Sequence, residues 1–120
     1  HEELIIAGEF TRDSGYKKMK DLLAKDISFS AVFIVSDSMA IGALRALKEE
    51  GIAVPEECGV MGFDGIDLGA YTEPSLTTVR QPAYELGEQA VESLINLING
   101  KDDFEYHKVV DLELLIRDSV

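Results

Sequence analysis

The chain has 120 residues, 46% hydrophobic and 28% charged, a balance that supports one hydrophobic core without a staple and excludes a disordered chain. Its single cysteine, Cys58, excludes an internal disulfide and cannot alone build a structural zinc site, while the longest apolar run, Ala31 to Val35, falls far short of the ~20 residues of a membrane span. Eleven Lys+Arg against 23 Asp+Glu leave a net charge of −12, which opposes approach to a phosphate backbone, and the small group Lys17, Lys18 and Lys20 does not offset it.

In chain order, Leu4-Ile5-Ile6-Ala7-Gly8 is apolar, rich in β-branched residues and closed by glycine, and so predicts a strand. Thr11 to Ser14 supply polar start signals for a helix whose apolar positions are Tyr16, Met19, Leu22 and Leu23. Ala31 to Val35 predicts a buried strand, Met39 to Leu47 a helix, and Gly51 the left-handed residue that closes it. Gly59 to Phe63 predicts a third strand, followed by a loop over 64–75 and a short strand at Leu76 to Val79. A helix from Tyr84 to Asn99 carries Leu86, Ala90, Val91, Leu94, Ile95 and Ile98 on one face, then come a polar turn over 102–106 and an alternating strand from Val109 to Ile116. The first three strands begin about 27 residues apart with a helix in each gap, which is βαβ spacing and demands parallel strands. The expected fold class is therefore α/β, a doubly wound parallel sheet covered on both faces.

Ligands of such a sheet bind at the carboxyl ends of its strands. Those ends carry Glu9-Phe10-Thr11, Ser36-Asp37-Ser38 and Asp64-Gly65-Ile66-Asp67: a ring, a hydroxyl beside a carboxylate, and a second carboxylate. An aromatic platform ringed by acceptors suits a sugar-like ligand, or a nucleobase. Each residue also has a purely structural reading: Asp37 or Ser36 as a helix N-cap, Asp64 in an Asx turn before Gly65, and Phe10 packed over the sheet end. With Asp37 as the cap, the Ser36 hydroxyl is the freer of the two.

Catalytic patterns are lacking. Val35-Ser36-Asp37-Ser38 has no glycines for a nucleophile elbow, and Gly59 to Gly62 falls in a strand rather than in a phosphate loop. His1 and His107 lie far apart, His107 reading as a solvent-exposed side chain. A phosphoacceptor role for Asp37 lacks the supporting lysine, since Arg80 and Gln81 stand at the later strand end. No enzyme, metal site or cofactor is expected.

Phe33 to Leu47 resembles the strand–helix signature of the LacI/GalR transcription regulators. Gly51 to Glu56 with Val60 to Asp64, then Leu76 to Pro82 with Gly87, resemble the next blocks, Gly8 to Thr11 with Ser14 to Tyr16 the earlier one, and Leu115 to Ser119 the last strand. The resemblance runs ungapped through the chain. It implies part of an effector-binding core of the type I periplasmic-binding-protein-like fold, in which two lobes close over a small molecule. Residues 1–79 would be the second lobe, 80–108 the crossover and a helix of the first lobe, and 109–120 a returning strand.

Carried across by position, Phe10 stacks on the effector, Asp64 accepts its hydrogen bonds, and Ser36 stands where many members have Asn. Ile41, Arg45, Leu68 and Tyr71 would lie at the subunit interface of a homodimer. Gly65 departs from the family's second acidic residue and loosens inference about specificity. The implied partner is a sugar or sugar phosphate, DNA being reached only through an N-terminal module outside this chain, with a cytoplasmic location and no membrane contact. The alternative is a solute-binding protein of a sugar transport system. Without its partner lobe, the apolar face of the Tyr84–Asn99 helix is expected to be buried by self-association, domain swapping or packing back on the sheet.

Overall fold

The computed structural model describes residues 2–25, 27–101, 107 and 109–120. They form two compact units, one spanning His1–Arg80 with Leu114–Val120 and the other Gln81–Glu113.

The first unit is built on helices α1 (Arg12–Leu23) and α2 (Asp37–Glu49) and strands β1 (Ala31–Phe33), β2 (Gly59–Asp64) and β3 (Thr77–Arg80), with β4 (Glu113–Leu115) completing the sheet in the order β1-β2-β3-β4. β1 pairs parallel with β2, Val32 opposite Val60, and β2 pairs parallel with β3, Phe63 opposite Val79. The βαβ spacing has thus produced a parallel α/β sheet. Strand alternation sends Val32 and Val60 to the face covered by α2. There they join Met19, Leu22, Met39, Ala43, Leu44, Leu47, Cys58 and Leu76 in one core.

Helix ends follow their local chemistry. The Thr11 hydroxyl caps α1 by accepting from the Ser14 N–H at 3.1 Å. α2 closes in a Schellman motif: Gly51 at φ +73° donates to the Lys48 carbonyl at 3.2 Å, and Ile52 to that of Leu47 at 3.0 Å. The loop expected over 64–75 contains a 3-10 turn at Asp67–Tyr71.

Three expectations need correction. The predicted strand at Leu4–Gly8 does not form: Glu2–Leu4 is a 3-10 turn and the following residues join no ladder. A strand requires a neighbour for its backbone groups, whereas the apolar pattern requires only burial, and Ile6 meets that by packing on the core. Second, β1 stops at Phe33, and it is not buried on both sides: Phe33 remains 56% exposed, edge-on to Phe63 with ring centroids 6.5 Å apart. Third, the last strand shrinks from Val109–Ile116 to Glu113–Leu115.

The predicted polar turn at 102–106 lies outside the described residues. In the second unit, α3 (Ala83–Ile98) has the expected helix but no buried residue; Val91, Leu94, Ile95 and Ile98 are all at least half exposed.

The carboxyl-terminal segment of the first unit fastens the sheet edge at which β2 and β3 begin. Ser119, fully buried, accepts from the Thr77 N–H at 2.8 Å, donates its hydroxyl to the Val60 carbonyl at 2.6 Å, and its own carbonyl accepts from Val60 N–H at 2.7 Å. Arg117 adds a bond from its guanidinium to the Leu76 carbonyl at 2.8 Å.

Candidate functional site

Parallel pairing brings the carboxyl ends of β1, β2 and β3 to one edge, opposite the one Ser119 fastens. β1 leads through Ile34 and Val35 into α2, whose N-cap is Ser36; β2 ends at Asp64. The start of α1 is drawn to the same region, because Gly42 of α2 lies against the Arg12 carbonyl and Gly15 of α1 against that of Met39.

Asp37 organises this edge. Its carboxylate is fully buried and accepts three hydrogen bonds: from the Gly65 N–H at 2.8 Å and the Ile66 N–H at 2.9 Å on Oδ2, and from the Thr78 hydroxyl at 2.6 Å on Oδ1. Acceptor-only chemistry suits an ionised carboxylate, and three donors offset the cost of hiding it from water. The turn so held is unusual. Asp64 has φ 130°, the only positive φ at a non-glycine residue among those described, a conformation that costs roughly 1–3 kcal/mol and persists where surroundings over-determine it.

The N-cap expectation for Asp37 is therefore overturned. Ser36 takes the cap position, without a side-chain cap bond, and Asp37 turns inward to the strand ends instead. The Ser36 hydroxyl is correspondingly less free than expected, the residue being 4% exposed. Asp64 is half-buried, and Phe10 stands 72% exposed beside the start of α1. Hydrogen bonds join the Ser36-Asp37 and Asp64-Ile66 segments directly, while Phe10 precedes the start of α1, which packs closely on α2. Sequence reasoning missed the bridging roles of Asp37 and Thr78, since a hydroxyl in a four-residue strand carries no signal of a carboxylate 41 positions away.

Two cavities flank these residues without being lined by Phe10, Ser36 or Asp64. A cleft of about 120 Å³ lies among Leu4, Ile6, Met19, Leu22, Val32 and Ile34; an open one of about 670 Å³ is lined by Gly8, Glu9, Thr11, Ser14, Lys17 and Lys18.

Of the residues the resemblance assigns to a subunit interface, Ile41 is half-buried and Arg45, Leu68 and Tyr71 are exposed, the last by 83%. Arg45 is engaged within the chain: its Nε donates to Glu49 at 2.9 Å and its guanidinium lies 5.2 Å from the Tyr16 ring centroid. The Tyr16 hydroxyl donates to the other Glu49 oxygen at 2.6 Å, and Lys20 pairs with Glu50, so α1 and α2 are clasped along their outer faces.

Among the described residues no group of three or more His, Cys, Asp or Glu could hold a metal ion, and no helix is long and apolar enough to cross a membrane. Cys58 is buried, and burial pushes its thiol above its ordinary value, away from the reactive thiolate. His107 is exposed.

The periplasmic binding protein-like domain family matches residues 1–120: the chain belongs to that family. Within it, the likeness is to the LacI-family transcriptional regulators. The chain is 42% identical over 118 residues to the HTH-type transcriptional regulator MalR of Clostridium butyricum, with 98% of this chain and 35% of that protein covered. It is 41% identical over 117 residues to the HTH-type transcriptional repressor CytR of Escherichia coli K12, covering 98% and 34%. Among solved structures, a complex of the transcriptional regulator CelR with cellobiose superposes with a TM-score of 0.94 at 35% identity, covering 100% of this chain and 37% of that one. A LacI-family regulator from Enterococcus faecium with bound ribose gives 0.81 at 31%, covering 93% and 41%. The chain thus spans about a third of the length of the curated relatives it matches.

Proposed function

We propose that this chain is the greater part of one lobe of an effector-sensing core in a bacterial repressor-type transcription regulator, with residues 80–108 contributing to the other lobe and 109–120 returning. The effector is a small sugar-like molecule held between lobes. Phe10 supplies a ring to stack on it, Asp64 a carboxylate for its hydroxyls, and Ser36 a hydroxyl from the N-cap of α2. Ile41, Arg45, Leu68 and Tyr71 face a second subunit, and DNA is reached through a helix-turn-helix module elsewhere in the longer, cytoplasmic protein. The effector then acts by differential affinity: it binds one lobe arrangement more tightly and shifts the dimer between DNA-competent and incompetent geometries.

The observation that carries this reading is the held Asp64 turn at the carboxyl edge of a parallel sheet, in a chain whose relatives include a cellobiose complex and a ribose complex. A transport-type solute-binding protein shares the fold, but the curated relatives named above are regulators.

Calorimetric titration of cellobiose and of ribose into the full-length protein tests the site. Asp64→Ala is expected to lower affinity about 10–100-fold, the worth of charge-assisted hydrogen bonds, and Phe10→Ala about 10-fold, the worth of an aromatic contact. Unchanged affinity in both variants overturns the assignment.

A further inference from the structure

The proposed effector carboxylate belongs to Asp64, yet the most buried carboxylate at that edge belongs to Asp37, which no ligand can reach. We infer that Asp37 is a positioning residue: it fixes the backbone of the turn at 64–66 and so determines where the Asp64 side chain points. The inference rests on the reading of Asp64 as an effector contact and assigns Asp37 its part in that contact.

Three independent observations converge on Asp37. First, Oδ2 accepts from two successive backbone N–H groups, Gly65 and Ile66, which fixes the orientation of both peptide planes immediately after Asp64. Second, the carboxylate is itself held in place by Thr78 of the adjacent strand, so the bond network spans the start of α2, the end of β2 and the middle of β3. Third, space has been reserved for it. Gly62 lies two residues before Asp64, and a β-carbon there would run into the Asp37 Oδ1; the nearest other side-chain atom is the Cδ2 of Leu76 at 3.1 Å.

The strained φ of Asp64 gives the network its purpose. A turn in an ordinary conformation needs no buried anion to hold it. One at φ 130° reverts to a relaxed geometry unless interactions of comparable strength compensate its strain. Two charge-assisted hydrogen bonds to the next two amides are of that order. Gly65 completes the arrangement: at φ +78° it avoids a side chain that would meet Arg80 at 2.6 Å.

Amide hydrogen exchange in the 15N-labelled chain tests this without any effector. In Asp37→Asn, which keeps the side chain's shape, the Gly65 and Ile66 amides are expected to exchange about 10-fold faster, with their proton resonances displaced upfield as the acceptor loses its charge, while the amide of Ile34, which donates to the Met61 carbonyl at 2.8 Å just beyond β1, is unaffected. Asp37→Ala is expected to abolish the local protection altogether; should that variant not fold, Asp37→Asn still decides. A merely structural role for Asp37 accelerates all three amides together, and that result, or unchanged exchange at Gly65 and Ile66 in Asp37→Asn, overturns the inference.

A second arm separates this from the effector reading. In the full-length protein, Asp37→Asn is expected to weaken cellobiose or ribose binding about 10-fold, with Asp64→Ala as the reference. Faster exchange with unchanged sugar affinity overturns the positioning of the contact. Failure of Asp64→Ala to affect binding overturns the effector reading instead, leaving the exchange result to decide what Asp37 does to the turn.

Discussion

Gly15 and Gly42 are counterparts at the α1–α2 crossing: a β-carbon on Gly15 would run into the Met39 carbonyl, and one on Gly42 into the Arg12 carbonyl. The obstruction in each case is backbone, which cannot swing aside as a side chain can. Gly42→Ala is therefore expected to destabilise the first unit by about 1–3 kcal/mol or more, read as a lower urea midpoint. Gly87→Ala in α3 is the contrast, since nothing lies within 4 Å of its added carbon; α3 should gain about 0.5–1 kcal/mol of helix stability, seen by circular dichroism. Equal responses at the two positions would contradict the packing described.

Ser119→Ala should be among the more damaging changes of one atom. It leaves the Thr77 N–H and the Val60 carbonyl without their buried partner, at about 1–3 kcal/mol for each group left unsatisfied. Equilibrium denaturation against Ser75→Ala, whose hydroxyl bonds the exposed Asp118, makes the comparison; a smaller loss at Ser119 than at Ser75 would refute it.

The outer clasp between α1 and α2 should be sensitive to pH at both extremes. The Tyr16 hydroxyl, followed by Arg45, holds the Glu49 carboxyl below its ordinary value of 4.5. Its contribution is complete above the ordinary carboxylate range and disappears as pH falls through the lowered value. Conversely, the hydrogen bond to Glu49 raises Tyr16 above 10.0, so this contribution is complete below the ordinary tyrosine range and lost as pH rises through the raised value. An NMR titration should show Tyr16 ionising at lower pH in Glu49→Gln than in the parent chain, and an unchanged Tyr16 curve would dismiss the coupling. The hydrogen bond between them is exposed to solvent, so high salt should weaken the effect.

The apolar side chains of α3 predict concentration-dependent self-association of this chain. Leu94, Ile95 and Ile98 are each more than half exposed, and Glu substitutions at Leu94 and Ile98 should shift sedimentation profiles toward monomer. A parent chain that is already monomeric at high concentration would refute this.

How legible the molecule was in its sequence depended on the range of the interactions. α1, α2 and α3 were readable because caps and 3.6-residue periodicity are local, and β2 and β3 because apolar runs between turn signals are local too. Leu4–Gly8 misled for the complementary reason: its residues declare a need for burial, but a ladder partner is a fact about the rest of the molecule. The same divide runs through the site. The strand-end positions of Ser36 and Asp64 followed from βαβ spacing, that of Phe10 fell with the strand that did not form, and the inward turn of Asp37 depended on Gly62 leaving room and on Thr78 supplying a donor, neither of which is marked by proximity in the chain.

The fastening of β2 and β3 by Ser119 has a consequence for biosynthesis. Val60 and Ser119 are 59 residues apart, so the ribosome needs roughly 3–12 s, at about 5–20 residues per second, to supply the second after the first. Throughout that interval the nascent sheet has an unsealed rim, and the chain must stay free of aggregation by other means until the serine arrives.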